Sequence, residues 1–181
     1  FGDLIYGVDA ASLEERVHSL LREQGKTLST AESCTGGLIA KRLTDLAGAS
    51  AAFLGGVVSY TNQVKERALG VPRELLDQYG AVSRPVAEAM ARGVMALTGS
   101  DLALSVTGVA GPDRDDRGNP VGLVYVALTD GERVWVFRGR LGTSRDRVRT
   151  MAAHTGLDMV RRYLTGRPVL ESADGSPTGP G

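Results

Sequence analysis

A chain of 181 residues holds one well-cored domain and is short for two. Its 21 basic and 21 acidic side chains cancel, so no field of one sign draws in nucleic acid or a membrane, and the expected partners are small molecules. With one cysteine and two histidines, neither a disulfide framework nor a soft-ligand zinc site is expected; no metal or cofactor is called for, and a reducing cytoplasm fits. The longest uncharged span, 46–64, is interrupted by Gly, Ser, Tyr, Thr, Asn and Gln and does not read as a membrane helix.

The chain opens on Phe1 rather than Met, as if cut from something longer, and residues 1–10 are expected to be a linker or the end of an upstream domain. Ser12 caps an amphipathic helix with Leu13, Val17, Leu20 and Leu21 on one face, ended by Gly25. The β-branched and apolar run 27–31 is a strand, and the spacing of Leu38, Ile39 and Leu43 predicts a helix to about Asp45. The second half of 51–60 is strand-like, then Thr61 or Asn62 caps a helix that Gly70 stops, with Lys65 in or near its first turn. Pro72 starts a short helix to about Tyr79. The segment 80–85 is a second cap, opening a helix to about Gly99 that carries Val86, Ala89, Met90, Val94 and Leu97 inward.

Leu102 to Val106 is a strand running into the glycine-rich loop Thr107 to Pro112. Residues 113–120 carry five charges and are expected to be solvated and mobile. Strands at 122–129 and 133–138 are joined by Asp130-Gly131, a hairpin signal. The last helix runs from Thr143 or Ser144 to about Leu164 and buries Val148, Met151, Ala152, Thr155, Met159, Val160 and Tyr163. Residues 165–181, rich in Gly, Pro, Ser and Asp, are expected to be a disordered tail. The alternation predicts an α/β domain over 11–164: three layers, α/β/α, around a mixed, mostly parallel sheet of about five strands, with one strand antiparallel. Apolar faces near residues 72 and 86 leave a homo-oligomer open.

The stretch Thr30-Ala31-Glu32-Ser33-Cys34-Thr35-Gly36-Gly37 turns a strand directly into a helix, at the strand end where open α/β sheets gather ligands. The amides of Thr35, Gly36 and Gly37 are expected to be free helix N-terminal donors for an oxyanion or a phosphate. Ser33 beside them reads as a nucleophile or as a helix cap. Cys34 is a rival nucleophile, because a thiol at a helix N-terminus has a lowered pKa, and Glu32 is expected to brace the turn. No phosphate-binding Gly-x-x-x-x-Gly-Lys loop, dinucleotide fingerprint or Ser-x-x-Lys is present. His18 and His154 both fall inside regular helices, so a lysine is the expected base rather than a triad histidine.

Four motifs in one order carry a resemblance. They are Thr30 to Gly37, Val58-Ser59-Tyr60-Thr61-Asn62-Gln63-Val64-Lys65, Gly80-Ala81-Val82-Ser83, and Val106 to Pro112 with Pro120-Val121-Gly122. Over about residues 12–164 the chain resembles the C-terminal domain of the competence/damage-inducible protein CinA, whose stand-alone members are nicotinamide mononucleotide deamidases. The opening Phe1 to Gly7 resembles the junction after the upstream domain of two-domain members.

The resemblance implies hydrolysis of the carboxamide of nicotinamide mononucleotide by a metal-independent Ser/Lys amidohydrolase, with Ser33 as nucleophile, Lys65 as base and Tyr60 beside them. It also implies that Asn62, Ser83 and the loop residues Thr107, Gly108, Ala110 and Gly111 face the substrate. The family often has Gly-Asp before the arginine matching Arg145, where this chain has Thr143-Ser144. For the phosphate of such a substrate, donors are available at the Thr35 and Ser83 caps, the Thr107 to Gly111 loop, and Arg145 or Arg149. The alternative is a non-catalytic nucleotide-binding or regulatory domain of a two-domain protein.

Overall fold

The computed structural model describes residues 12–172; the expectations for residues 1–10 and 173–181 lie outside them. Five strands, β1 (Leu28–Glu32), β2 (Phe53–Val58), β3 (Leu102–Gly108), β4 (Leu123–Thr129) and β5 (Val134–Arg140), form one sheet in the order β2-β1-β3-β4-β5. β1 is parallel to β2 and β3, and β4 is antiparallel to β3 and β5, so β4 alone runs against the others. That is the mixed sheet the hairpin at Asp130-Gly131 requires, since two strands joined by so short a turn cannot be parallel.

Six helices cover the sheet: α1 (Leu13–Glu23), α2 (Leu38–Thr44), α3 (Asn62–Leu69), α4 (Arg73–Tyr79), α5 (Arg84–Thr98) and α6 (Arg145–Leu164). α1, α2 and α6 pack together on one face, and α5 lies along the other with α3 and α4 beside it. The first face holds the larger apolar core, with Leu21, Ile39, Leu104 and Leu157 fully buried. Leu69, Val71, Met90 and Val94 build a smaller core under α5. α5 approaches α3 by backbone contact, because a Cβ on Gly93 would overlap the Leu69 carbonyl. No described helix is long and apolar enough to cross a membrane.

Helix ends follow local chemistry. Ser12, Thr61 and Ser144 accept from the amides of Glu15, Val64 and Arg147, and Gly70 and Gly99 end α3 and α5 in left-handed conformations that a side chain would oppose. Ser83 departs from expectation: it occupies the N-cap position of α5, yet its hydroxyl donates to the Gly80 carbonyl at 2.8 Å and does not cap the helix.

Other corrections come from packing. β2 begins at Phe53, so the strand fills the middle of the 51–60 run rather than its second half. Leu97 is 60% exposed and Met151 38% exposed. On α5, Val86, Met90 and Val94 are buried as expected, and Ala87 and Ala91, small residues that let the helix lie close to the sheet, join them in place of Leu97. On α6, Ala152, Ala153 and Gly156 take the inner face.

The charged 113–120 loop is exposed but fastened. The Arg117 guanidinium donates to the carbonyls of Leu76, Asp77 and Gln78, and Asp115 accepts from the amides of Arg117 and Asn119 and from the Asn119 side chain. The chain after Leu164 is not loose at its start either. Ser172 is buried beside β5, its amide donating to the Val136 carbonyl at 2.9 Å and its hydroxyl accepting from the Arg138 amide at 2.8 Å. These bonds occupy part of the edge that β5 would otherwise present to solvent.

Candidate active site

The parallel strands β1 and β3 end side by side, and the Ser33 amide extends their ladder by donating to the Val106 carbonyl at 2.9 Å. The chain then reverses through Gly36 and Gly37, both at positive φ, and the Gly36 amide closes the turn onto the Ser33 carbonyl at 3.0 Å. α2 therefore starts at Leu38, where the apolar spacing begins, and the Thr35 to Gly37 amides belong to the turn before it. Its first-turn amides on Ile39 and Ala40 donate to the two carboxylate oxygens of Glu32, at 3.1 and 2.8 Å.

Glu32 thus braces the turn as expected, while the supply of free amides is corrected. The Gly36 amide is spent within the turn, and the α2 donors go to Glu32. Among the described residues, the amides of Cys34 and Thr35, immediately after Ser33, donate to no backbone carbonyl.

Lys65 enters from α3. It is the fourth residue of that helix and the first to make a backbone bond within it, to Thr61. Its side chain is 1% exposed, and Nζ lies 3.0 Å from Ser33 Oγ and 2.7 Å from the Ser59 carbonyl. Burial is the leading cause that brings its pKa down from the ordinary 10.5 to about 8, with the neighbouring Cys34 opposing the shift. Cys34 itself sits in the core, and burial pushes its thiol up to about 12. The thiol rival rested on a lowered pKa at a helix N-terminus; desolvation outweighs that effect here.

Ser33 and Lys65 open into a cleft of about 260 Å³, lined also by Cys34, Tyr60, Thr107, Gly108, Ala110, Gly111 and Arg145. Arg145, the first residue of α6, reaches across the mouth: Nη2 donates to the Tyr60 hydroxyl at 2.9 Å and Nη1 to the Gly111 carbonyl at 3.0 Å. Tyr60 is accordingly turned towards Arg145, and its ring is exposed. The Thr143-Ser144 departure still serves α6, because Ser144 is its cap. Thr107 donates its hydroxyl to the Ala81 carbonyl at 2.8 Å, tying the glycine-rich loop to the segment before α5.

Five expected substrate-facing residues stand back from the cleft lining. Thr35 is fully buried, and Gly36 and Gly37 shape the turn from behind. Ser83 is buried, with its hydroxyl on Gly80. Asn62 faces a second depression of about 260 Å³ among Glu66, Arg67, Arg73 and Asp77, an open surface of helix charges in which Arg73 pairs with Glu66 and Asp77. Arg149 donates to the Thr35 carbonyl at 2.9 Å and so supports the turn. Sequence reasoning missed Val82, Asp113 and Asp115 on the cleft wall. The acidic pair sits in a loop that read only as solvated charge, and no local pattern shows that such a loop folds back over a strand end.

The profile of the CinA C-terminal domain family matches residues 10–164. A CinA-like protein of Geobacter sulfurreducens is 53% identical over 163 residues, covering 90% of this chain and 40% of that protein, and one of Citrifermentans bemidjiense is 51% identical over 163 residues, covering 90% and 39%. The chain thus spans about two fifths of the length of these relatives. Among solved structures, a competence-damaged protein (CinA) superfamily protein of Klebsiella pneumoniae superposes with a TM-score of 0.83 at 32% identity, over 85% of this chain and 96% of that one. A competence/damage inducible protein of Agrobacterium tumefaciens does so with a TM-score of 0.80 at 41% identity, over 84% and 93%. With the same sheet, the same helices and a family match over most of its length, the chain belongs to the CinA C-terminal domain family.

Proposed function

We propose that this domain hydrolyses the carboxamide of nicotinamide mononucleotide, giving nicotinate mononucleotide and ammonia. The observation that carries the reading is the 3.0 Å contact between Ser33 Oγ and the buried Lys65 Nζ. With its pKa near 8, about one Lys65 in ten is neutral at pH 7 and able to take a proton, against about one in three thousand for an unshifted lysine.

In this mechanism neutral Lys65 removes the Ser33 hydroxyl proton as Oγ bonds to the amide carbon. The developing oxyanion is met by the unspent amides of Cys34 and Thr35. The Lys65 ammonium then protonates the departing nitrogen as the C–N bond breaks, and ammonia leaves. Water repeats the sequence on the acyl-serine, with Lys65 again as base. Arg145 keeps donors beyond those given to Tyr60 and Gly111 and is the nearest cation for the phosphate. The acidic Asp113 and Asp115 on the same cleft suit the positive pyridinium ring, so the walls carry both signs, as the substrate does.

Incubating the pure protein with nicotinamide mononucleotide and measuring ammonia tests the proposal. Turnover that disappears in Ser33→Ala is expected, as is much weaker turnover of nicotinamide riboside, which lacks the phosphate. Binding of the nucleotide without any ammonia release would sink the enzymatic reading and favour a non-catalytic nucleotide-binding domain. The length of the relatives supports an upstream domain in the native protein, and its influence on turnover is measurable by comparing the two lengths of chain.

A further inference from the structure

Buried hydroxyls normally find a partner, and those that do not call for an explanation. Among the described residues, the Ser59 hydroxyl is fully buried without one, and it stands beside the Ser33 and Lys65 pair. The Ser59 amide donates to the Glu32 carbonyl at 2.8 Å, carrying the β1–β2 ladder one residue past the Glu32 and Val58 pair, so Ser59 neighbours Ser33. Val58 and Tyr60 on either side of it are half-exposed, so alternation sends the Ser59 side chain inward. That is the face on which Ala31 and Val57 pack against the α3 to α5 layer, from which Lys65 enters.

Lys65 Nζ touches Ser33 Oγ and the Ser59 carbonyl. A neutral amine has two N–H groups and a lone pair; once the lone pair has taken the serine proton, the ammonium has three N–H groups to satisfy. One points back to Ser33 or the leaving nitrogen, and one to the Ser59 carbonyl. The other charged or titratable groups lining the cleft with Lys65 are Cys34, Tyr60, Asp113, Asp115 and Arg145, with Glu32 next to Ser33 in the chain, and none hydrogen-bonds Nζ: Glu32 is held by α2, Asp115 by its own loop, and Tyr60 by Arg145. Resting on the Ser/Lys reading above, we infer that Ser59 is a positioning residue whose buried hydroxyl accepts the third N–H of the Lys65 ammonium formed as Ser33 attacks.

The test uses two reactions of the same protein between pH 6 and 10: ammonia release from nicotinamide mononucleotide, and labelling by an alkyl fluorophosphonate. In the second, Ser33 Oγ bonds to phosphorus, fluoride leaves, and Lys65 takes the proton, so no nucleotide is involved. Ser59→Ala is expected to lower the plateau rate of both reactions about tenfold, the scale of a lost hydrogen bond to a charged group. Removing an acceptor disfavours the ammonium, so the rising limb should also move to lower pH by about half a unit to one unit. Ser59→Thr, which keeps the hydroxyl, should restore both, with KM for the nucleotide unchanged throughout.

A Ser59→Ala protein whose limb stays in place, or a Ser59→Thr protein no better than the alanine variant, overturns the inference. Wild-type protein that labels with the expected limb but releases no ammonia overturns the amidase reading alone, and the labelling profiles then decide Ser59. If wild-type Ser33 is not labelled at any pH, both fall together.

Discussion

The N-termini of α2 and α3 flank the same strand end and treat buried charge in opposite ways. At α2, the carboxylate of Glu32, 1% exposed, accepts two first-turn amides. At α3, Lys65 is equally buried but brings a cation to the positive end of a helix. A helix N-terminus favours an anion and disfavours a cation, and burial penalises any ion left without hydrogen bonds. One pairing therefore makes a rigid support. The other makes an amine that loses its proton at about pH 8. The contrast teaches what the proposed chemistry would ask of Ser33: a turn that does not move and an amine that is not permanently charged.

The strongest way to break the contrast is to make the α3 charge permanent. Lys65→Arg keeps a cation that cannot deprotonate, and kcat for ammonia release should fall by about a hundredfold or more, as far as in Lys65→Ala. In the wild type, kcat/KM should rise with pH through about 8 and level off above it. A Lys65→Arg enzyme retaining more than about a tenth of wild-type kcat would rule out the base.

Stability against pH sharpens the same point. Because the folded-state pKa of Lys65 is below its unfolded value of 10.5, the unfolded chain binds more protons between about pH 8 and 10.5, and the Lys65 contribution to stability rises across that window. Urea unfolding should show the wild type gaining up to about 3 kcal/mol relative to Lys65→Met from pH 7 to 10.5. Parallel profiles for the two proteins would mean that Lys65 is not desolvated as the fold implies.

At the other helix, Glu32→Gln keeps one acceptor oxygen but places an amide NH2 against a backbone N–H. Urea titration at pH 7 should show a loss of about 2 kcal/mol, with activity falling as the turn loosens. An unchanged midpoint would remove Glu32 as the support. The smallest effect is expected at Cys34, where alanine removes a buried sulfur next to Ser33. Stability should fall by about 1 kcal/mol and kcat stay within about twofold, because burial keeps the thiol protonated. A Cys34→Ala enzyme as inactive as Ser33→Ala would exchange their roles.

Much of this was legible from local patterns. Caps at Ser12, Thr61 and Ser144 and the glycines at 70 and 99 set helix ends, because a cap or a positive φ is a property of a few adjacent residues. The alternating elements and the Asp130-Gly131 turn determined a mixed sheet with one reversed strand. The Ser33 and Lys65 motifs, 32 residues apart, marked both members of the pair before their contact was known.

Tertiary structure decided what depends on which surfaces meet. It sent Leu97 and Met151 outward, since alanines and glycine fit closer to the sheet, and it directed Asn62 away from the cleft. It joined Arg145 to Tyr60 across 85 residues, set Arg149 behind the turn, and laid Ser172 against β5. It also weighs against the rival nucleophile: the chain alone favours Ser33 over its neighbour Cys34, and the packing around them buries the thiol and leaves the hydroxyl facing an amine. Composition and periodicity report the preferences of single segments; burial and charge neighbours, which set pKa and partner, exist only once distant segments have closed on one another.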